Sequence, residues 1–563
     1  MRLENSVAVI KYLIASILVG VILGIGGAFA AQGFRSGIVI ISNYAEKLFG
    51  QDPNFFFYLI TLSVALILVH YSRSLVNGKP FQSVADSIYL AHKSNNETDL
   101  KVGFISTLAA FFSASGGASI GQYGPLVHFG TTLGAWLKKT VPFNFTPDLY
   151  IGAGVAASIS SGFGAPLAGL IFAHEAILRH YSHKSILAIA TASGISYAVS
   201  TGIWGDTNII NVSSENFNLL LMLVISFLAG PIFGLIAIIY MKSLLLFANL
   251  ANSPKVKVFY KYSFCILSLS LIGHFVPEVM GLGTETVSGI LYSSYTLIFL
   301  VIILLGKIIA TSISLNFGFF GGVFSPAILV GAAAGAVVSA FLVKLGIFED
   351  FQQALVISGI AAVAGAVIGA PICMVIIVLE LTNSYAYALA SLVGLAISVG
   401  YVQVRFGSSY FDVQLLNRGI DISDGRTGLF MTETDILRFA DPNFNTIKES
   451  ETVADAISLM SKIDQSELIV VNQSGEFVGK TNSLSLFNKQ GPLSSVDVID
   501  KDCVFIKHDA SVQSAMEIAS DFVGEIIPIV QTDQNKAVAI ITEGAIFQAY
   551  LSKQSQTVEM EKR

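Results

Sequence analysis

Gly164-Ala165-Pro166, with Glu175 nine residues after its proline, and Gly369-Ala370-Pro371, with Glu380 nine residues after its proline, decide the fold. Upstream of the first, Pro125 is followed by Gly130 and Gly134; upstream of the second, Pro326 is followed by Gly331 and Gly335, at the same two offsets. The prolines of a set lie 41 residues apart in the first half and 45 in the second. Gly and Ala are frequent in this chain, so one such match carries little. Four in the same order describe an internal repeat. Repeats of this kind in apolar sequence are how many membrane transporters are built, often inverted, with the binding site near mid-membrane where the halves meet.

The sequence around the repeat is that of a membrane protein. Of 563 residues, 53% are hydrophobic and only 12% charged, against about 25% charged in an ordinary soluble domain. The charge is concentrated in the last quarter, so residues 1–422 read as a membrane domain with halves at about 1–205 and 215–422, and residues 423–563 as a soluble module. The formal net charge is −6 and there is no basic stripe, which argues against a nucleic-acid partner. Cys265, Cys373 and Cys503 are too far apart for a disulfide framework or a metal site. Eight histidines without ligand spacing leave no catalytic cluster, and no enzyme activity is expected.

Apolar runs predict spans over 12–31, 55–70, 102–114, 185–201, 219–240, 262–275, 297–315, 322–342, 354–379 and 386–404. A span takes roughly 20 apolar residues. Lys11 followed by an apolar run, with Ala28-Phe29-Ala30 beyond it, imitates a cleavable signal. The run outlasts a signal-peptide core of about 7–15 residues, so an uncleaved first span is expected. Several spans are interrupted by clusters of Gly and Pro.

Broken helices narrow the chemistry. Non-helical backbone at membrane depth is tolerated only inside protein or beside water. A helix start there presents free N–H groups and partial positive charge, so several converging starts make an anion site without a buried full charge. Glycines let the backbone approach the ion. Such turns precede helical runs at Gly78-Lys79-Pro80, Gly121–Pro125 and Gly321–Pro326.

Asn77-Gly78-Lys79-Pro80, Gly121-Gln122-Tyr123-Gly124-Pro125, Gly322-Val323-Phe324-Ser325-Pro326 and Ser409-Tyr410-Phe411 resemble the chloride-site turns of the CLC family, and Gly164-Ala165-Pro166-Leu167-Ala168-Gly169 with Phe172 and Glu175 is similar to a further family pattern. The resemblance implies an all-α polytopic membrane domain of CLC type, an inverted repeat of tilted, broken helices. It also implies a homodimer in the lipid bilayer with a separate pore in each subunit, chloride as the default anion, and no cofactor. It assigns the anion to Asn77, Gly78, Tyr123, Gly124, Val323 and Phe324, and to Phe411 with Tyr410 one residue away as the alternative. Tyr123 takes the position of the gating glutamate. Lys79 is either a solvated charge at the pore mouth or a device that concentrates anions. Asn77 can donate to an anion through its amide and equally cap a helix.

Two departures bear on mechanism. Tyrosine, with an unperturbed pKa near 10, replaces the carboxylate that would move a proton, and Ala176, next to Glu175, stands where the family's antiporters keep an internal proton-carrying glutamate. Both argue for passive anion conduction, voltage- or ligand-gated, over proton-coupled antiport. The altered donors also leave nitrate, bicarbonate and fluoride open as substrates. Glu175 and Glu380 are intramembrane carboxylates, expected to bond backbone N–H groups near helix ends rather than to carry protons. His174, beside Glu175, reads as a satisfied interface histidine.

From about residue 430 two similar passes of helix, strand, strand and helix follow, at about 430–488 and 495–555. They resemble a tandem pair of CBS domains, an α/β module that the resemblance places in the cytoplasm, on a multi-pass protein of the plasma membrane (the inner membrane of a bacterium). Thr481-Asn482-Ser483-Leu484 and Thr542-Glu543-Gly544-Ala545 stand at the family's nucleotide element but lack its aspartate, so nucleotide binding is not expected.

Overall fold

The computed structural model describes residues 2–562 apart from 51–53, 94–97, 142, 144, 182–183, 206–216, 254–256, 293, 347–350 and 424. Two compact units result, Met1–Gly419 and Ile420–Arg563. Among the described residues the elements of the first are helices: α1 (Arg2–Phe49), α2 (Phe55–Leu75), α3 (Val84–His92), α4 (Leu100–Ser115), α5 (Tyr123–Thr140), α6 (Pro147–Phe163), α7 (Pro166–Phe172), α8 (Ile186–Trp204), α9 (Leu219–Ala251), α10 (Val258–Phe275), α11 (Thr284–Leu291), α12 (Leu297–Phe317), α13 (Phe324–Lys344), α14 (Gln352–Ile368), α15 (Pro371–Thr382), α16 (Tyr385–Arg405) and α17 (Tyr410–Leu416). Among the described residues, eight helical stretches are long and apolar enough to cross a membrane. The Ala28-Phe29-Ala30 site lies inside α1. The run 354–379, expected as one span, is two helices broken at Gly369-Ala370.

The repeat is visible in the packing. Helix α5 packs on α6 as α13 packs on α14, and α1 packs on α8 as α9 packs on α16. The repeated glycines permit the first of these contacts. A Cβ on Gly154 would stand 2.0 Å from the carbonyl oxygen of Gly130, and one on Gly359 would stand 2.4 Å from that of Gly331. Gly164 and Gly369 end α6 and α14 in the left-handed region (φ 71° and 78°), where a side chain is strained. Pro166 and Pro371 then open α7 and α15 at their first turns. After α7 the chain continues as one π-helical turn, Ala173–Leu178, which carries Glu175. Its counterpart Glu380 lies in the last turn of α15.

Lys307 of α12 is completely buried. Its ammonium donates to the carbonyls of Val279 (3.0 Å) and Gly281 (2.9 Å). Gly281 N–H in turn bonds Gly117 O at 3.0 Å. This cation therefore ties α12 to the loop that enters α5.

The second unit contains α18 (Gly425–Glu433), β1 (Thr446–Lys448), α19 (Val453–Ile463), β2 (Glu467–Val471), β3 (Phe477–Asn482), α20 (Ser483–Leu486), β4 (Ile506–Lys507), α21 (Val512–Ala519), β5 (Ile527–Gln531), β6 (Lys536–Ile541) and α22 (Glu543–Lys562). Its two sheets, β1-β2-β3 and β4-β5-β6, share one pattern: a parallel pair, then an antiparallel pair with a register shift. The leading strands β1 and β4, three and two residues long, are too short to show alternation in sequence. Glu467 joins the two passes. Its carboxylate accepts from Lys480 Nζ (2.8 Å) and from the N–H groups of Glu525 and Ile526 (2.9 Å each). Both side chains are more than nine-tenths buried. Removing one partner of a buried pair leaves an uncompensated charge, so Lys480→Ala is expected to cost about 3 kcal/mol of unfolding free energy. Urea denaturation of the full chain, followed through the module's transition, measures this; an unchanged midpoint would contradict it.

Candidate anion pathway

The loops entering α5 and α13 meet head-on. Gly121 N–H donates to Gly322 O (2.7 Å), and Gly322 N–H donates to Gly121 O (2.8 Å). This two-residue bridge brings the starts of α5 and α13 side by side. There is no room for side chains: a Cβ on Gly121 would come within 2.9 Å of the Gly322 carbonyl oxygen, and one on Gly322 within 2.9 Å of Gly124 N. Gln122 N–H bonds Ser325 Oγ at 3.3 Å, and Tyr240 donates from its hydroxyl to Val323 O at 3.2 Å. Helix starts leave their first amides without intrahelical partners, and here two starts present theirs to one region.

That region holds a cavity of about 130 Å³. Gly124 and Val323 line it from the two helix starts, Tyr410 and Phe411 from the start of α17, and Gln82 and Ser83 from the approach to α3. Arg418 lies at its rim, its guanidinium donating to Asp86 Oδ1 at 2.8 Å. Both Tyr410 and Phe411 therefore reach the cavity, and the Tyr410 hydroxyl accepts from Gln414 Nε2 at 3.1 Å. Arg179 fixes α17 by bonding Asp412 (2.5 Å), which also caps the α17 start through Ser409.

Asn77, Gly78 and Lys79 do not belong to this cavity. All three are exposed in the turn that ends α2. Asn77 adopts φ 54° and Gly78 φ 73°, and Lys79 pairs with Asp99 at 2.7 Å. The helix they were expected to open begins six residues beyond Gly78, at Val84 with Ser83 as its N-cap. Ser83 N–H donates to Asp86 Oδ2 at 2.7 Å, a capping box. The pattern Ser83-x-x-Asp86 is a sequence signal for that start. His128, Arg418 and Tyr240 carried no motif that would have singled them out.

Tyr123 is 2% exposed. Its ring stacks on Phe163 with centroids 3.6 Å apart at 14°, and meets Phe324 edge-on at 5.5 Å. Phe324 also contacts Phe163 at 5.1 Å and Phe172 at 6.2 Å. On the other side of Tyr123 lies an apolar cavity of only about 30 Å³, which Tyr123 lines together with Phe163, Val287 and Ile360. Successive residues, Tyr123 and Gly124, thus line the two cavities.

The intramembrane glutamates are both engaged. Glu175 accepts from the N–H groups of Ile372 (2.9 Å) and Cys373 (2.7 Å), at the start of α15. Glu380 accepts from those of Leu167 and Ala168 (2.8 Å each), at the start of α7. Each half caps the other's broken helix. Ala176, beside Glu175, is buried and carries no titratable group. His174 donates through Nδ1 to Leu170 O (3.0 Å) and stacks on Tyr181.

A second polar cavity, of about 280 Å³, adjoins the first through shared Leu315 and Asn316. Arg73 and Lys261 line it, and the Arg73 guanidinium lies 5.4 Å from the ring centre of Phe81, a wall of the first cavity. The approach is cationic.

The sequence pattern of the voltage-gated chloride channel family matches residues 60–403. The chain belongs to the CLC family. Anion transport is the activity of that family, and this CLC protein is a multi-pass membrane protein. Residues 432–479 and 495–552 match the CBS domain, so the C-terminal unit is a tandem CBS module. Among CLC relatives, the chloride channel protein CLC-f of Arabidopsis thaliana is 23% identical over 97% of this chain and 70% of its own length. The H(+)/Cl(-) exchange transporter ClcA of Vibrio parahaemolyticus is 26% identical over 57% of this chain and 69% of its own. The fold resembles that of a slow cyanobacterial Cl-/H+ antiporter (TM-score 0.64, 20% identity, 72% of this chain and 98% of the other). It also resembles a eukaryotic CLC transporter (TM-score 0.62, 17% identity, 95% and 98%).

Proposed function

We propose that this CLC protein conducts chloride passively, without obligatory proton exchange. One observation carries the reading: among the described residues, no carboxylate lines either the cavity at Tyr123 or the one at Gly124. Glu175 and Glu380 are each occupied by two backbone amides of the opposite half. A proton carrier must exchange its proton with the path, and neither Tyr123 nor Ala176 supplies a carboxylate to do so. The anion is held by the amides at the starts of α5 and α13 with Gly124, Val323, Phe324 and the Tyr410–Phe411 start of α17 around it. The Tyr123 ring is the gate, moved by voltage or a ligand. The protein is a homodimer of the plasma membrane with one pathway per subunit and its CBS module in the cytoplasm. Liposome flux tests the reading. Chloride efflux is expected under a chloride gradient with valinomycin, and no sustained proton uptake.

The second reading is proton-coupled antiport, favoured by the exchangers among the relatives. Sustained proton uptake driven by chloride in the same vesicles would establish it and sink the first.

The cationic approach has its own expectation. Arg73→Gln with Lys261→Gln should lower chloride flux several-fold at 20 mM salt and much less at 500 mM, because about 3–10 Å of screening length at high salt removes steering by exposed charge. Equal loss at both ionic strengths would point to a structural defect instead.

The CBS pair holds no nucleotide in this reading. The Thr481 hydroxyl is spent on Val498 O at 2.9 Å, and Thr542 Oγ accepts Ala545 N–H at 3.2 Å as a helix cap. Calorimetry of the full chain with ATP and AMP should give no heat of binding; a micromolar site would refute this.

A further inference from the structure

Gln82 and His128 sit together where the approach to α3 crosses α5. His128 is 2% exposed, one turn beyond the Tyr123–Pro125 start. Its Nδ1 lies 2.8 Å from Ser87 Oγ and its Nε2 lies 3.2 Å from Gln82 Oε1. Gln82 is also fixed through its backbone, whose N–H donates to Ser106 Oγ at 2.9 Å.

The oxygen of the Gln82 amide is the atom that faces the imidazole. An amide oxygen only accepts, so His128 Nε2 must carry the proton opposite Oε1. Nδ1 is then the acceptor, and Ser87 donates to it. Thr132 Oγ1, at 3.5 Å, is the more distant neighbour of Nε2. With Oε1 occupied by the imidazole, both N–H bonds of Gln82 are left over. Gln82 lines the polar cavity shared with Gly124, Val323 and Tyr410, and that is where an unused amide edge has room.

We propose that His128 is a positioning residue that holds the Gln82 amide with its N–H edge toward the cavity, making Gln82 the side-chain donor to the anion. This rests on the anion pathway assigned above and adds to it a group that sets selectivity. A neutral amide edge with two N–H bonds matches a spherical halide and equally the two oxygens of a planar anion such as nitrate. A hydroxyl at the same place could offer one bond only. The imidazole matters because an amide free to rotate would present its oxygen to the cavity half of the time and repel the anion.

The test is chloride binding to the full chain in detergent by isothermal titration calorimetry, alongside nitrate-to-chloride flux ratios in liposomes. One lost hydrogen bond to a charged ligand weakens binding about tenfold. Gln82→Ala and His128→Ala should each do so, and the double variant should lose no more than either alone, since His128 acts only through Gln82. His128→Gln, whose Nε2 keeps a donor at the same reach, should restore wild-type affinity. Ser87→Ala, which frees the tautomer with little change in packing, should fall between and serves if His128→Ala does not fold. Unchanged chloride affinity and flux ratio in Gln82→Ala overturn the proposal, as do additive losses in the double variant. A wild type that binds chloride but passes none would sink the conduction reading and leave this assignment intact.

Discussion

Tyr123→Ala is expected to raise chloride flux in liposomes about fivefold or more over the wild type and to leave proton flux at background. The Tyr123 ring, at the start of α5, lines the smaller cavity, and Gly124 beside it lines the larger. The ring is held there by packing and not by charge: stacked on Phe163 at 3.6 Å and set edge-on to Phe324 at 5.5 Å. Aromatic pairs of this geometry add about 0.5–1.5 kcal/mol each beyond burial. Opening the gate proposed for the wild type means breaking two such contacts, so a barrier of about 1–3 kcal/mol, a factor of roughly five to 150 in open probability, disappears with the ring. Removal also costs about 3 kcal/mol of stability, as for other large-to-small changes in a packed core. Tyr123→Phe separates ring from hydroxyl. It keeps both contacts and should conduct within about twofold of the wild type, a difference under 0.5 kcal/mol. Reduced flux in the alanine variant, at normal expression, would mean that the ring shapes the path open and does not close it.

Glu175→Ala and Glu380→Ala should each lose about 3–6 kcal/mol of stability, the sum of two charge-assisted hydrogen bonds to amides that have no other partner in a membrane interior. The expected phenotype is a marked fall in the thermal midpoint in detergent, with chloride flux per surviving molecule close to the wild type. Glutamine at either site retains one acceptor oxygen and should lose about half as much. The double alanine variant should be less destabilised than the sum. Glu380 rides on α15, whose start Glu175 caps, so loosening either end already weakens the other carboxylate's grip. A proton-transport role predicts something else: normal stability with altered flux. That result for either single variant would contradict the capping assignment.

Much of this protein's backbone could be read from its residues. Gly164-Ala165-Pro166 and Gly369-Ala370-Pro371 work because a left-handed residue and a first-turn proline have few alternatives in sequence. The repeated glycines after Pro125 and Pro326 mark close helix contacts for the same reason. The capping role of Glu175 and Glu380 followed from the cost of leaving a carboxylate unpaired in the membrane. A Gly-Lys-Pro turn looks like a helix entry, whereas the one after Asn77 closes α2 and the entry to α3 is announced by Ser83 and Asp86. The stack of Tyr123 on Phe163 joins residues 40 positions apart and no local pattern encodes it. Nor does any periodicity bring His128 to Gln82; that contact arises where the segment leading into α3 crosses α5.

The bridge between Gly121 and Gly322 carries a consequence for biosynthesis. The backbone groups that Gly121 needs are 201 residues further along the chain, at a translation speed of about 5–20 residues per second some ten to forty seconds away. Until then the nascent first half must hold an unfinished loop at membrane depth, an arrangement that invites a chaperone or a waiting lipid-facing intermediate. Co-expression of the two halves as separate polypeptides should therefore reconstitute the pathway, while either half alone should be retained and degraded.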